Sequence, residues 1–112
     1  MTAEYNHGIP GALKNAIDFL FKEWNNKVAG FVGYGSAGVV RSVEQLRLVM
    51  AELKVATVRT QVQLSLFTDF ENFSNFKPAI FQEKAANNML DEVIAWGGAL
   101  KALRLRKDSS VQ

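Results

Sequence analysis

The 112-residue chain has no cysteine and a single histidine. The first absence removes a disulfide framework and a thiol nucleophile, and the second leaves a protein-only zinc site without its usual ligands. Asp and Glu could still hold a hard cation, but none of them recurs at a ligand-like spacing. An excess of charge of one sign is lacking too. Thirteen basic and 11 acidic residues leave a net charge of +2, so a sequence pI near 9.0 reflects a small imbalance. That is not a surface built to follow a phosphate backbone, and nucleic acid is not an expected partner. The longest uncharged stretch, Val28 to Val40, has 13 residues and four glycines, well short of the roughly 20 apolar residues that cross a bilayer. No charged start followed by an apolar block marks a secretion signal, so no membrane partner is expected and the cytoplasm is the expected compartment.

Apolar residues make up 48% of the chain and charged residues 21%, which is globular composition with material for one modest core. Both prolines sit where helices should begin. After Pro10, residues Leu13, Ala16, Ile17, Leu20, Phe21 and Trp24 recur at helical spacing, predicting a helix from about Pro10 to Glu23. Val28 to Tyr34 is a nearly all-apolar run between turn signals, as in a strand buried on both faces of a parallel sheet. A tight turn over Gly35 to Gly38 follows. A second helix begins at Val39, with Val43, Leu46, Val49, Met50 and Leu53 on its apolar stripe and Arg41, Glu44, Arg47 and Glu52 off it. Val55 to Val58 reads as a second strand, extended by the alternation of Val62, Leu64 and Leu66 with Gln61, Gln63 and Ser65.

Phe67 to Lys77 reads as a surface loop anchored by the rings of Phe67, Phe70, Phe73 and Phe76, with a partner interface as the sharper alternative. Pro78 opens the longest helix, which runs to about Arg106 and has Gly97 and Gly98 as a weak point; residues 107–112 are expected to form a disordered tail. The order helix, strand, helix, strand, helix over residues 1–106 predicts a single α/β domain with a doubly wound parallel sheet. Two strands are too few for an independent sheet. The open strand edge and uncovered helix faces therefore predict association, most simply as a homo-oligomer.

Two segments carry candidate chemistry. Gly33-Tyr34-Gly35-Ser36-Ala37-Gly38 matches the GxGxxG pattern between a strand and a helix, which admits an NADP-binding module with Arg59 meeting the 2′-phosphate, or simply a glycine-permitted turn. It is not a phosphate-binding Walker loop, because Val39 and Val40 stand where Lys and Ser or Thr are required. The other segment is Ala3-Glu4-Tyr5-Asn6-His7-Gly8-Ile9-Pro10-Gly11-Ala12-Leu13-Lys14-Asn15-Ala16-Ile17-Asp18. It resembles the signature of the NAD(P)H-dependent FMN reductases, a flavodoxin-like family, with Ala3 in the place of the family's proline. Tyr34 to Gly38 is similar to the second motif of that family and lies at the right distance. The resemblance extends more loosely to about Arg104.

The resemblance implies a flavin reductase that passes hydride from NAD(P)H to FMN, with the flavin and the nicotinamide as its small-molecule partners. It places Glu4, Tyr5, Asn6 and His7 beside the isoalloxazine ring, and Tyr34, Gly35 and Ser36 beside it from the neighbouring loop. No acid–base catalyst is implied, and His7 reads as a loop and ring-packing residue. The family sets a Gly-, Ser- and Arg-rich flavin-phosphate loop after its first strand, and that loop is not found in this sequence. Against the family pattern the chain is thus expected to be a C-terminal portion of a truncated flavodoxin-like sheet, holding strands 4 and 5 of the usual five. A remnant that only associates, with itself or with a separate N-terminal half, is the alternative function.

Overall fold

The computed structural model describes residues 1–109. Its centre is a pair of parallel valine-rich segments. Strand β1 (Lys27–Ala29) pairs with β3 (Val55–Thr57), and β2 (Val32–Gly35) pairs with β4 (Val62–Ser65). The expected continuous strand from Val28 to Tyr34 is thus broken at Gly30 and Phe31. The break has a structural cause: two residues separate β1 from β2, but four, Val58 to Gln61, separate β3 from β4, so the second segment bulges. Arg47 satisfies the bulge, donating to the carbonyl oxygens of Val58 at 2.9 Å and Arg59 at 3.2 Å and to Gln61 Oε1 at 3.0 Å. Its guanidinium also lies 5.1 Å from the centre of the Phe31 ring, within cation–π range.

Apolar residues cover both faces of this ribbon. On one face, helices α1 (Gly11–Asp18) and α2 (Val40–Glu52) close a core of Ile17, Phe31, Val43, Leu46, Met50, Leu53 and Val55. On the other, α3 (Ile80–Ser109) brings Met89, with Ala85, Ala86 and Val93, against Val58, Val62 and Leu64. The alternation read along β4 holds, with Val62 and Leu64 buried and Gln63 exposed. The result is a mixed α/β architecture with small parallel sheets between helices. The edge of β2 away from β4 is met at one point, where Thr2 N–H donates to Val32 O at 2.8 Å and Tyr34 N–H donates to Thr2 O at 3.2 Å. Among the described residues no strand pairs with the outer edge of β1.

Three expected elements differ. Helix α1 ends at Asp18 and not Glu23, because a short 3-10 turn (Lys22–Trp24) reverses the chain and the Trp24 indole N–H donates to Ile17 O at 3.0 Å. Leu20 and Phe21, read as part of the apolar stripe, are consequently exposed. The Phe67–Lys77 segment is not a loop anchored by rings: it folds back as a hairpin of β5 (Phe70–Glu71) and β6 (Asn75–Phe76), with Phe67, Phe73 and Phe76 exposed. Its anchor is the fully buried Asp69 carboxylate. Helix α3 begins at Ile80, two residues after Pro78, and continues past Arg106 to Ser109. Of the tail expected over 107–112, residues 110–112 lie outside the described residues. Among the described residues no helix is long and apolar enough to cross a membrane.

Candidate functional site

The first candidate loop is a tight reversal. Tyr5 and Gly8 exchange both backbone hydrogen bonds, at 3.2 and 3.0 Å, and the two residues between them, Asn6 and His7, have φ of 51° and 66°. Two left-handed residues in succession match the mirror-image turn that usually takes Asn-Gly. Asn6 suits this conformation better than His7 does. Side chains from α2 hold the loop from outside. Gln45 donates through Nε2 to His7 O at 2.7 Å and accepts the Ile9 N–H at 3.4 Å. The Arg41 guanidinium donates through Nε to Glu4 Oε2 at 2.7 Å and places NH1 2.7 Å from His7 Nε2.

Glu4 ties the loop to the helix. Its Oε1 accepts the Ser42 N–H at 2.9 Å in the first turn of α2, while Oε2 receives Arg41. Burial pushes this carboxyl up, but the Ser42 N–H and the Arg41 hydrogen bond and charge outweigh it and hold Glu4 below the usual carboxylate range. The Glu4 side chain is therefore engaged inward, as an acceptor at the positive end of a helix.

The second loop follows β2. Gly35 O accepts the N–H of Gly38 at 3.4 Å and of Leu66 at 3.2 Å, tying the loop to the end of β4. Gly38 and Val39 then turn the chain into α2 with φ of 67° and 64°. A β-branched residue in the left-handed region is a genuine outlier, and Val39 is 1% exposed, packed against Gly33 and Gly35.

The two motif loops are thus neighbours at the carboxyl end of the parallel pair: Thr2 pairs beside Tyr34, and Glu4 caps the helix that the second loop opens. Tyr5, Asn6, His7, Tyr34 and Ser36 are exposed there, and Glu4 and Gly35 are half-buried. Asn6 and Ser36 are exposed residues, whereas the His7 ring meets Arg41. Among the described residues no cluster of His, Asp and Glu could hold a metal ion. Arg59 is not at this end. It sits in the bulge between β3 and β4, before the strand that pairs with β2.

Arg41 and Gln45 are the site residues that the sequence did not disclose. A charged residue in the first turn of a helix that follows a motif loop was the available signal, with Glu4 as a possible mate. Residues 1–69, more than half of the chain, match the sequence profile of the NADPH-dependent FMN reductases. The chain belongs to this family. It is 45% identical over 58 residues to an NAD(P)H-dependent FMN reductase of Saccharomyces cerevisiae, covering 52% of this chain and 30% of that protein. A protein of the same description from Schizosaccharomyces pombe is 41% identical over 69 residues, 62% of this chain and 34% of the relative. A third, from a Nectria species, is 36% identical over 86 residues, 73% and 41% respectively. The chain thus spans between 30% and 41% of the length of these relatives. Family membership fits both the motif loops and the parallel α/β layering that presents them.

Proposed function

We propose that these residues form the ring-binding part of an NAD(P)H-dependent FMN reductase. One observation carries the reading: Glu4 of the first motif loop caps the helix opened by the second, and the pair of loops leaves Tyr5, Asn6, Tyr34 and Ser36 exposed at one end of the sheet. A flat aromatic ligand needs exposed rings, close backbone and a few fixed polar groups, and these loops supply each kind. Tyr5 and Tyr34 offer faces for stacking, while Asn6, Ser36 and the backbone of Gly35 offer hydrogen bonds to a polar ring edge. A bound flavin would supply the hydride chemistry, so the chain's own residues have only to orient and shield it.

The loops fit the ring end of FMN and not its phosphate end. Their cation, Arg41, already neutralises Glu4. If they alone carry binding, FMN and riboflavin should bind this chain with affinities within about threefold of each other, because charge-assisted phosphate contacts are absent. Titration of either flavin, followed by fluorescence quenching, measures this. The absence of saturable quenching by either ligand would overturn the reading.

A second reading, association without catalysis, has its own support. The unpaired outer edge of β1 adjoins a groove of 160 Å³ lined by Met1, Leu13, Ile17, Phe31, Leu46 and Met50. An apolar edge of this kind favours pairing with a second copy. Light scattering coupled to size exclusion should give about twice the monomer mass, since paired chains are the commonest closed assembly; a folded monomer at high concentration contradicts it.

A further inference from the structure

Arg41 reaches both ends of the first motif loop, with Nε and NH2 on Glu4 Oε2 and NH1 on His7 Nε2 at 2.7 Å. A guanidinium has donors and no acceptor, and it keeps its proton throughout the range in which proteins are folded. For the 2.7 Å contact to be a hydrogen bond, His7 Nε2 has to accept, which requires a neutral imidazole with its proton on Nδ1.

The loop depends on such outside contacts. Asn6 and His7 both occupy the left-handed region, which costs roughly 1–2 kcal/mol for a residue with a Cβ. The internal Tyr5–Gly8 pair is the only backbone ladder within the turn. Arg41 and Gln45, with the Glu4–Ser42 bond, fix its direction relative to α2.

We propose that Arg41 is the positioning residue of this loop and that it works only while His7 is neutral, which makes the loop a proton-sensitive clamp on ligand binding. A second proton on the imidazole would set N–H against N–H and cation against cation in one short contact. The charged groups facing His7 are Arg41 from α2 and Glu4 from its own loop; Ser42 and Gln45, which also meet the loop from α2, are neutral. Protonated His7 is drawn toward the Glu4 carboxylate and repelled by Arg41, so the Arg41–His7 contact is lost and the turn is left to Gln45 and to the Glu4–Ser42 bond. The clamp is closed while His7 is neutral and loosens when the ring takes a second proton.

The consequence for flavin rests on the function proposed above, whereas the clamp does not. Proton–nitrogen NMR of the full chain between about pH 8 and about pH 5 reads the clamp directly, through the His7 ring nitrogens and the Gly8 and Ser42 amides. The expected result is the Nδ1–H tautomer at high pH, with the Gly8 amide moving on the same titration curve as the ring. His7→Gln, whose side-chain oxygen accepts without titrating, should abolish the pH dependence of Gly8. An Nε2–H tautomer at high pH, or a Gly8 amide that ignores the histidine, overturns the proposal. In a parallel flavin titration, acidification should weaken FMN binding by about tenfold in the parent chain and leave His7→Gln unchanged. A parent chain whose affinity ignores pH overturns the link to binding. If FMN binds at no pH, the flavin reading fails, and the NMR still decides the clamp.

Discussion

Asp69→Ala should lower the stability of this chain by about 3 kcal/mol or more, as unfolding in urea would measure, because it strips the acceptor from several buried donors at once. Asp69 is fully buried, with no cation beside it, and accepts four hydrogen bonds. Ser65 N–H at 2.8 Å and Thr68 Oγ1 at 3.1 Å tie it to the end of β4. Ala79 N–H at 2.8 Å lies just before α3, and Gln82 Nε2 at 3.1 Å comes from its first turn. One carboxylate thus fastens the strand end, the Phe70–Phe76 hairpin and the start of the longest helix. A loss of that size is a large part of the roughly 5–15 kcal/mol that holds a domain folded.

The same residue fixes a pH dependence. Burial pushes the Asp69 carboxyl up, but the Ala79 and Ser65 amides, with Thr68 and Gln82, outweigh it and leave it below the ordinary aspartate value. A carboxylate depressed on folding contributes stability that is fully present above its unfolded value, about pH 3.9, and is lost as pH falls through the lower folded value. The gap between parent and Asp69→Asn in urea should therefore be wide near neutral pH and should narrow below about pH 4. An equal gap at neutral and at strongly acid pH would show that the carboxylate charge is not what the donors hold.

Why Asp69 escaped a reading of the sequence is physical. It stands among Thr, Asn, Ser and Phe in a segment whose composition signals a surface loop, and two of its four hydrogen-bond partners, Ala79 and Gln82, are brought there by the chain's reversal and by α3. Local periodicity reports which face of an element is apolar, and there it succeeded. Val43, Leu46, Met50 and Leu53 line the core side of α2, and Val62 and Leu64 alternate with exposed Gln63. The same rule assigned Arg41 and Arg47 to a solvent face, yet Arg41 meets Glu4 from 37 residues away and Arg47 supports the bulge 11 residues on. The strand break at Gly30 was hidden for the same reason, since Gly30 and Phe31 continue the apolar run and the extra residues lie on the other strand. The two motif loops were legible as a resemblance. Their being joined through the first turn of α2 was not, because no local pattern encodes a contact between Glu4 and Ser42.

Gly33→Ala is expected to cost about 3 kcal/mol, at the upper end of what overpacking a core usually does. A Cβ at this position would stand 2.7 Å from the Cβ of Val39 and 3.1 Å from the carbonyl oxygen of Gly38. Neither is the tip of a flexible side chain. Both belong to the left-handed pair that turns the chain into α2, so a shift there moves the helix that Glu4 caps and the loop that carries Ser36. Removing the opposing side chain should relieve the clash. Val39→Gly alone gives up a buried valine but also removes a β-branched residue from the left-handed region, two effects of opposite sign. The double variant Gly33→Ala with Val39→Gly should be only slightly less stable than Val39→Gly alone, the remaining cost being the 3.1 Å approach to the Gly38 carbonyl oxygen, which gives a coupling of about 2 kcal/mol in a double-mutant cycle. Additive losses would mean that Gly33 is required for something other than Val39. Coupled losses would mean that glycine is needed at this point of the GxGxxG run because the entry of α2 packs into the space a side chain would fill, with no nucleotide invoked.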